Sequence, residues 1–164
     1  VKACVVGTAA WETLWKVKEL NNRHEEYDKA AEYAHLIGKP LMVVGQTMGR
    51  HPCGDVCVDI AGCPTCSNSV TADVQDLFVF EDKNFGAAFA SHVLEHIDSP
   101  DLAWMELNRV ADKVFIAYPF SHRLTSTLHG HKWFVNKTAG GYLFTAINGG
   151  EKLFLSNDGT VLYQ

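Results

Sequence analysis

Three absences bound this sequence. No run of about 18 apolar residues occurs, so no segment reads as a membrane-spanning helix. A basic surplus is missing too: 14 Lys and Arg stand against 19 Asp and Glu, for a net charge of −5. That excludes the cationic footprint with which nucleic-acid-binding proteins replace phosphate counterions. Repeats and low-complexity stretches are absent, and 47% apolar with 20% charged residues excludes disorder, collagen and coiled coil. What remains is a chain of 164 residues, the size of one domain.

Five cysteines are present. Their odd number, and a start without a signal-peptide pattern, predict free thiols in a reducing cytoplasm. Membrane association is expected only if a segment precedes Val1. Cys53, Cys57, Cys63 and Cys66 crowd together with His51 nearby, which raises a structural zinc. Cys57, however, sits within an apolar run, the ordinary place of a buried free Cys. Redox pairing of Cys63 with Cys66 lacks a thioredoxin-like setting. No metal site is therefore predicted.

Along the chain, residues 9–37 read as helix, as one piece or as two broken near Asn21-Asn22. Trp11, Leu14, Trp15 and Leu20, then Tyr27, Ala30, Ala31, Ala34 and Ile37, recur at helical spacing. Gly38 is the expected stop and Pro40 blocks continuation. Leu41–Val44, Val56–Ile60, Val70–Val74, Phe85–Ser91 and Lys113–Tyr118 read as strands, mostly continuous apolar runs suited to burial on both faces. Ser99-Pro100-Asp101 opens a helix with an N-cap, a proline at N1 and an acid in the first turn. Leu102, Met105, Leu107 and Val110 are its expected buried side. At the end, Tyr142–Ile147, Lys152–Leu155 and Thr160–Tyr163 are short strand-like runs. Asn148-Gly149 and Asp158-Gly159, between them, predict hairpin turns. The organisation expected is an N-terminal helical segment, residues 1–40, on an α/β domain, residues 41–164.

Residues 70–119 carry a set of motifs in order: Thr71-Ala-Asp73-Val-Gln-Asp76, Asp82-Lys-Asn-Phe85-Gly86, Ser91-His92-Val93-Leu94-Glu95-His96-Ile97, Glu106-Leu-Asn-Arg109-Val110 and Ala117-Tyr118-Pro119. This set resembles the class I S-adenosylmethionine (SAM)-dependent methyltransferases, most of all the methyltransferase type 11-like subgroup with the ubiquinone and menaquinone biosynthesis enzymes. The resemblance implies a Rossmann-like sheet, mostly parallel with an antiparallel C-terminal hairpin. It implies SAM as cofactor and a small-molecule methyl acceptor. It also implies site residues: Gly45 and Gly49 in the glycine loop after the first strand, Asp59 on the ribose hydroxyls, and Asp73 at the adenine amino group. His92 is implied beside the acceptor as the catalytic residue. Glu95 and His96 are read as architectural. His122, His129, His131 and Trp133 fall where the family often forms a lid.

The sequence departs from that pattern in two ways. Val43 stands where the family has an acid, and Thr47 where it has the middle glycine. The stretches between the first three strands are also too short, and too rich in Gly and Pro, for the usual crossover helices. The helices between strands 1 and 2 and between strands 2 and 3 are therefore expected to be reduced to loops. A sheet face then needs another cover, either the N-terminal helix or a second copy in a homodimer. The leading functional expectation is methyl transfer from SAM. The alternative is a non-catalytic methyltransferase-like binding or assembly domain, and a zinc-stabilised interaction domain is the third. His92-x-x-Glu95-His96 also fits an inverted zinc-protease pattern, but the chain lacks that scaffold.

Overall fold

A computed structural model describes residues 2–47, 50–119 and 130–163, with side chains from residue 13 onward. The chain opens with one continuous helix, α1 (Lys2–Leu36). It ends as its sequence dictates. Gly38 takes a left-handed conformation at φ +67°. Its N–H reaches the His35 carbonyl at 3.1 Å, and that of Lys39 the Ala34 carbonyl at 3.1 Å, the two bonds of a Schellman cap.

Five parallel strands follow: β1 (Leu41–Val44), β2 (Val56–Asp59), β3 (Ser69–Thr71), β4 (Phe85–Ser91) and β5 (Ala111–Ala117). Their order in the sheet is β3-β2-β1-β4-β5. The chain thus steps outward from β1 to β3, then crosses back to β4, which sets a topological switch point between β1 and β4. β1 and β4 are buried along their whole lengths, as their unbroken apolar runs require. Among the described residues no helix joins β1 to β2 or β2 to β3, which bears out the reduced crossovers.

One face of this sheet is covered by the second half of α1, where Ala30 and Ala34 pack with Val43, Phe89 and Phe115. The first half behaves differently. Leu14 and Leu20, which the helical spacing places with the core, are exposed, as is Val17.

The other face carries α2 (Pro100–Val110), the link from β4 to β5. Its buried side is Pro100, Ala103, Trp104, Leu107 and Val110. The expectation for Leu102 and Met105 is corrected: both are exposed. Trp104 takes the buried side instead, and its Nε1 donates to the Ser156 carbonyl at 3.1 Å. Ser99 occupies the N-cap position, but its side chain makes no capping bond.

The chain ends in a four-stranded antiparallel meander, β6 (Trp133–Lys137), β7 (Gly141–Ala146), β8 (Lys152–Ser156) and β9 (Val161–Tyr163). It forms its own sheet instead of an edge on the parallel one. Its apolar face, with Val135, Phe144 and Leu155, joins Trp104 and Leu107 of α2 in one core. β6 begins at Trp133, within the stretch read from sequence as a lid.

The free-thiol expectation is corrected. Cys53 pairs with Cys66 and Cys57 with Cys63, two nested disulfides: the outer clips the β1–β2 connection to the β2–β3 connection, and the inner ties β2 itself to the β2–β3 connection. No helix among the described residues is long and apolar enough to cross a membrane.

Candidate functional site

Parallel α/β sheets bind ligands outside the carboxyl ends of their strands, at the switch point. A cavity of about 110 Å³ lies there. Gly45 follows β1, Asp59 ends β2, Asp73 follows β3, and Val93 and Ile97 come from the connection after β4; all five line it. Three of the residues implied by the resemblance are thereby brought together from separate strands. A larger hollow, about 600 Å³, sits at the opposite, amino-terminal edge around Gly38, Pro40 and Gly54, where the topology provides no convergent strand ends.

Gly45 is at φ +93°, and its N–H donates to the Val58 carbonyl at 2.9 Å. A Cβ built there would lie 2.6 Å from Val93 Cγ2 and 3.1 Å from the Ser91 carbonyl oxygen. Both the backbone conformation and the space demand glycine. Asp59 is half-buried. Its Oδ1 accepts the Ala61 N–H at 2.8 Å and lies 3.5 Å from Gln46 Nε2. Asp73 anchors a turn: its Oδ1 accepts the Gln75 N–H at 2.9 Å, and the Gln75 amide reaches both carboxylate oxygens at 3.2 Å. Gln75 Oε1 in turn takes the Ser99 N–H at 3.2 Å, fixing this wall to the start of α2.

Thr47 is buried, its hydroxyl 3.4 Å from that of Thr65. Gly49, His122 and His129 lie outside the described residues.

His92 takes another place. It holds φ +54°, in the sparsely used left-handed region. Its ring is not part of the cavity wall. Nδ1 is 3.3 Å from Glu95 Oε1, and Nε2 is 3.8 Å from Glu19 Oε1 of α1. The structure thus separates His92 from Gly45, Asp59 and Asp73. Beneath α1 it joins a buried polar group that includes Arg23 and Glu95. Burial pulls the Arg23 guanidinium below its ordinary range, and the nearby Arg50 adds to that, while Glu19 and Glu95 oppose it.

The Glu106…Arg109 motif is structural. Arg109 Nε and an Nη meet the two Glu106 oxygens at 2.8 Å each. The same guanidinium donates to the Leu77 and Phe80 carbonyls at 3.0 Å and to Asp82 at 2.8 Å. The Leu77 N–H closes the ring on Glu106 at 2.8 Å. This pairing holds the Glu106 carboxyl below, and the Arg109 guanidinium above, their ordinary ranges. It also sets the connection from β3 to β4 that follows the cavity wall.

Sequence reasoning missed Val93 and Ile97 as wall residues. Apolar side chains carry no chemical signal, and their role appears only once β4 lies beside β1. No curated protein and no solved structure matches the chain. Residues 47–114, less than half of the chain, match a family model described as a methyltransferase domain. That stretch holds most of the cavity wall, and the match supports the resemblance to the class I SAM-dependent methyltransferases.

Proposed function

We propose that the chain binds SAM at the carboxyl edge of β1 and β2 and transfers its methyl group to a small-molecule acceptor. The observation that carries this reading is the convergence of Gly45, Asp59 and Asp73 on one cavity, the two acids within the stretch that matches the methyltransferase domain and Gly45 just before it. The residues fit the cofactor's demands. Gly45 lines the cavity at φ +93°, a backbone turn that glycine takes without strain, and the half-buried Asp59 carboxylate ends a strand where vicinal hydroxyls are ordinarily accepted. Asp73, steadied by Gln75, presents a further acceptor to an exocyclic amine. When bound, SAM supplies a sulfonium methyl for in-line displacement, and the chain's part is to hold donor and acceptor in line. The acceptor's lone pair forms the new bond, the C–S bonding pair returns to sulfur, and the acceptor's proton passes to solvent. His92 faces α1 instead of the cavity, so the reading rests on the cofactor side.

The test is calorimetric titration of S-adenosylhomocysteine into the purified chain. Saturable micromolar binding that weakens more than about tenfold in Asp59→Ala is expected, the loss of a charge-assisted hydrogen bond. A folded chain that binds nothing at millimolar ligand overturns the proposal. It would leave the second reading, a non-catalytic methyltransferase-like binding or assembly domain. Val43 favours that reading, since it is fully buried under α1 where the family places an acid. So does a cavity of about 110 Å³, below the roughly 300–1,000 Å³ of usual ligand pockets.

A further inference from the structure

Glu95, His96 and His131 each offer a ligand atom, and these atoms all lie within 4.8 Å of one another. We propose that these three residues form a divalent transition-metal site of two imidazoles and one carboxylate, with zinc as its first occupant. The site is independent of the SAM reading.

Glu95 supplies the strongest argument. It is 1% exposed, and its Oε1 has no hydrogen-bond partner. A carboxylate oxygen so deeply buried without a bond is costly, and cations are the usual remedy. The atoms facing it are imidazole nitrogens: His92 Nδ1 lies 3.3 Å and His96 Nε2 3.9 Å from Oε1, and neither forms a hydrogen bond with it. Two ligands at about 2.1 Å from a shared tetrahedral ion stand roughly 3.4 Å apart, so a small contraction brings them into place.

The tautomer is suited as well. His96 Nδ1 lies 3.4 Å from the Gly130 carbonyl. A proton on Nδ1, donated to that carbonyl, leaves the Nε2 lone pair for the ion, the usual arrangement of a ligating histidine. The His96 and His131 rings meet edge to face at 4.6 Å between centroids.

The two segments that supply the ligands are fastened together. The Lys132 and Trp133 N–H groups both donate to the Glu95 carbonyl, at 2.7 and 3.2 Å. Trp133 Nε1 donates to the Ile97 carbonyl at 2.9 Å. His131 is thus held against the turn carrying Glu95 and His96 before any ion arrives. Imidazole and carboxylate are the donors that borderline divalent ions take, and three protein ligands leave a position for water. Such an ion would tie the connection after β4, whose Val93 and Ile97 line the cavity, to the start of the second sheet.

The experiment uses the full chain with both disulfides intact. It is freed of metal by a chelator, desalted, and titrated with zinc chloride alone. One equivalent of zinc per chain is expected. His96→Ala and His131→Ala should each weaken it by more than about 100-fold, beyond the 10–100-fold cost of losing a partner that only orients a ligand. Exposed His35, distant in the fold, serves as control, and His35→Ala should leave the affinity unchanged. Cobalt(II) in place of zinc should show ligand-field bands without a sulfur charge-transfer band, a reading on the unsubstituted chain that needs no variant to fold. No bound zinc, zinc retained in both His96→Ala and His131→Ala, or a sulfur band would each overturn the site.

Discussion

Gly45 and Val93 meet across the switch point so closely that a methyl group on Gly45 would lie 2.6 Å from Val93 Cγ2. This contact joins the end of β1 to the connection after β4 and forms one wall of the cavity. Gly45→Ala adds the steric clash to a backbone at φ +93° that L side chains resist. The expected cost is about 1–3 kcal/mol, seen as a Tm lower by roughly 3–8 °C. S-adenosylhomocysteine binding should be lost with it. Gly45→Ala combined with Val93→Ala relieves only the clash, so part of the stability should return. A single variant as stable as the parent would show that the contact gives way freely.

Arg109 is the hub of the β3–β4 connection through its bonds to Glu106, Asp82, Leu77 and Phe80. Arg109→Ala takes this donor from two backbone carbonyls and two carboxylates, of which Glu106 keeps the Leu77 N–H. Stability should fall by roughly 2–3 kcal/mol in urea unfolding, the range for charge-assisted bonds in a partly buried setting. Arg109→Lys keeps the charge but loses the fork, so it should recover less than half of that. A loss below about 0.5 kcal/mol would reduce the motif to a surface ion pair.

Much of this architecture is legible because single forces decide it. Leu41–Val44 and Phe85–Ser91 are apolar without interruption, and burial on both faces of a parallel sheet is what such runs satisfy. Gly38 announces its own cap. Other features depend on partners that sequence does not display. Trp104, not the Leu102 and Met105 stripe, takes the buried side of α2, and its indole bonds the carbonyl of Ser156, distant in sequence. The cysteine pairs form because parallel β2 and β3, with Cys57 opposite Ser69, fold the intervening loop back on β2. An odd cysteine count hid this. In the candidate site, Asp59 and Asp73 are singled out through the family resemblance, and both line the same cavity. The orientation of His92 toward Glu19 was not legible, since it depends on how α1 lies over the sheet.

His51 predicts a pH dependence. Its ring is buried against Tyr27 and Phe89, with centroids 5.8 and 5.1 Å away. Burial above all, with Arg23 adding, holds the imidazole below its ordinary range, against the opposing pull of the Pro52 carbonyl. The unfolded chain takes up this proton near pH 6.5, and the folded chain resists it until lower pH. Stability is therefore complete above about pH 6.5, falls as the pH drops through that value, and levels off below the folded pKa. Urea unfolding at about pH 7.5 and 5.5 should show the loss, and His51→Phe should reduce it. An unchanged pH difference in His51→Phe would place the titration elsewhere.

The two disulfides bracket Asp59. Cys57 lies two positions before it in β2, and Cys63 follows in the loop that Cys66 ties back to Cys53. Closing the loop between Cys53 and Cys66, 13 positions apart, removes chain entropy from the unfolded state worth about 3 kcal/mol. The inner pair encloses a shorter loop and contributes less. Full reduction should therefore cost about 3–5 kcal/mol and lower Tm accordingly. The Cys53→Ala, Cys66→Ala chain should lose more through this entropic route than the Cys57→Ala, Cys63→Ala chain. Burial of Cys57 and Cys63 adds a packing loss to the second, so the entropic part of each clip is read by reducing the one disulfide left in the other alanine-pair chain, which changes no side-chain volume. The loop after Asp59 also carries the Ala61 N–H that fixes its Oδ1. Reduction should thus weaken S-adenosylhomocysteine binding even where the chain stays folded. A reduced chain that melts at the same temperature and binds equally well would show that neither clip supports this edge of the sheet.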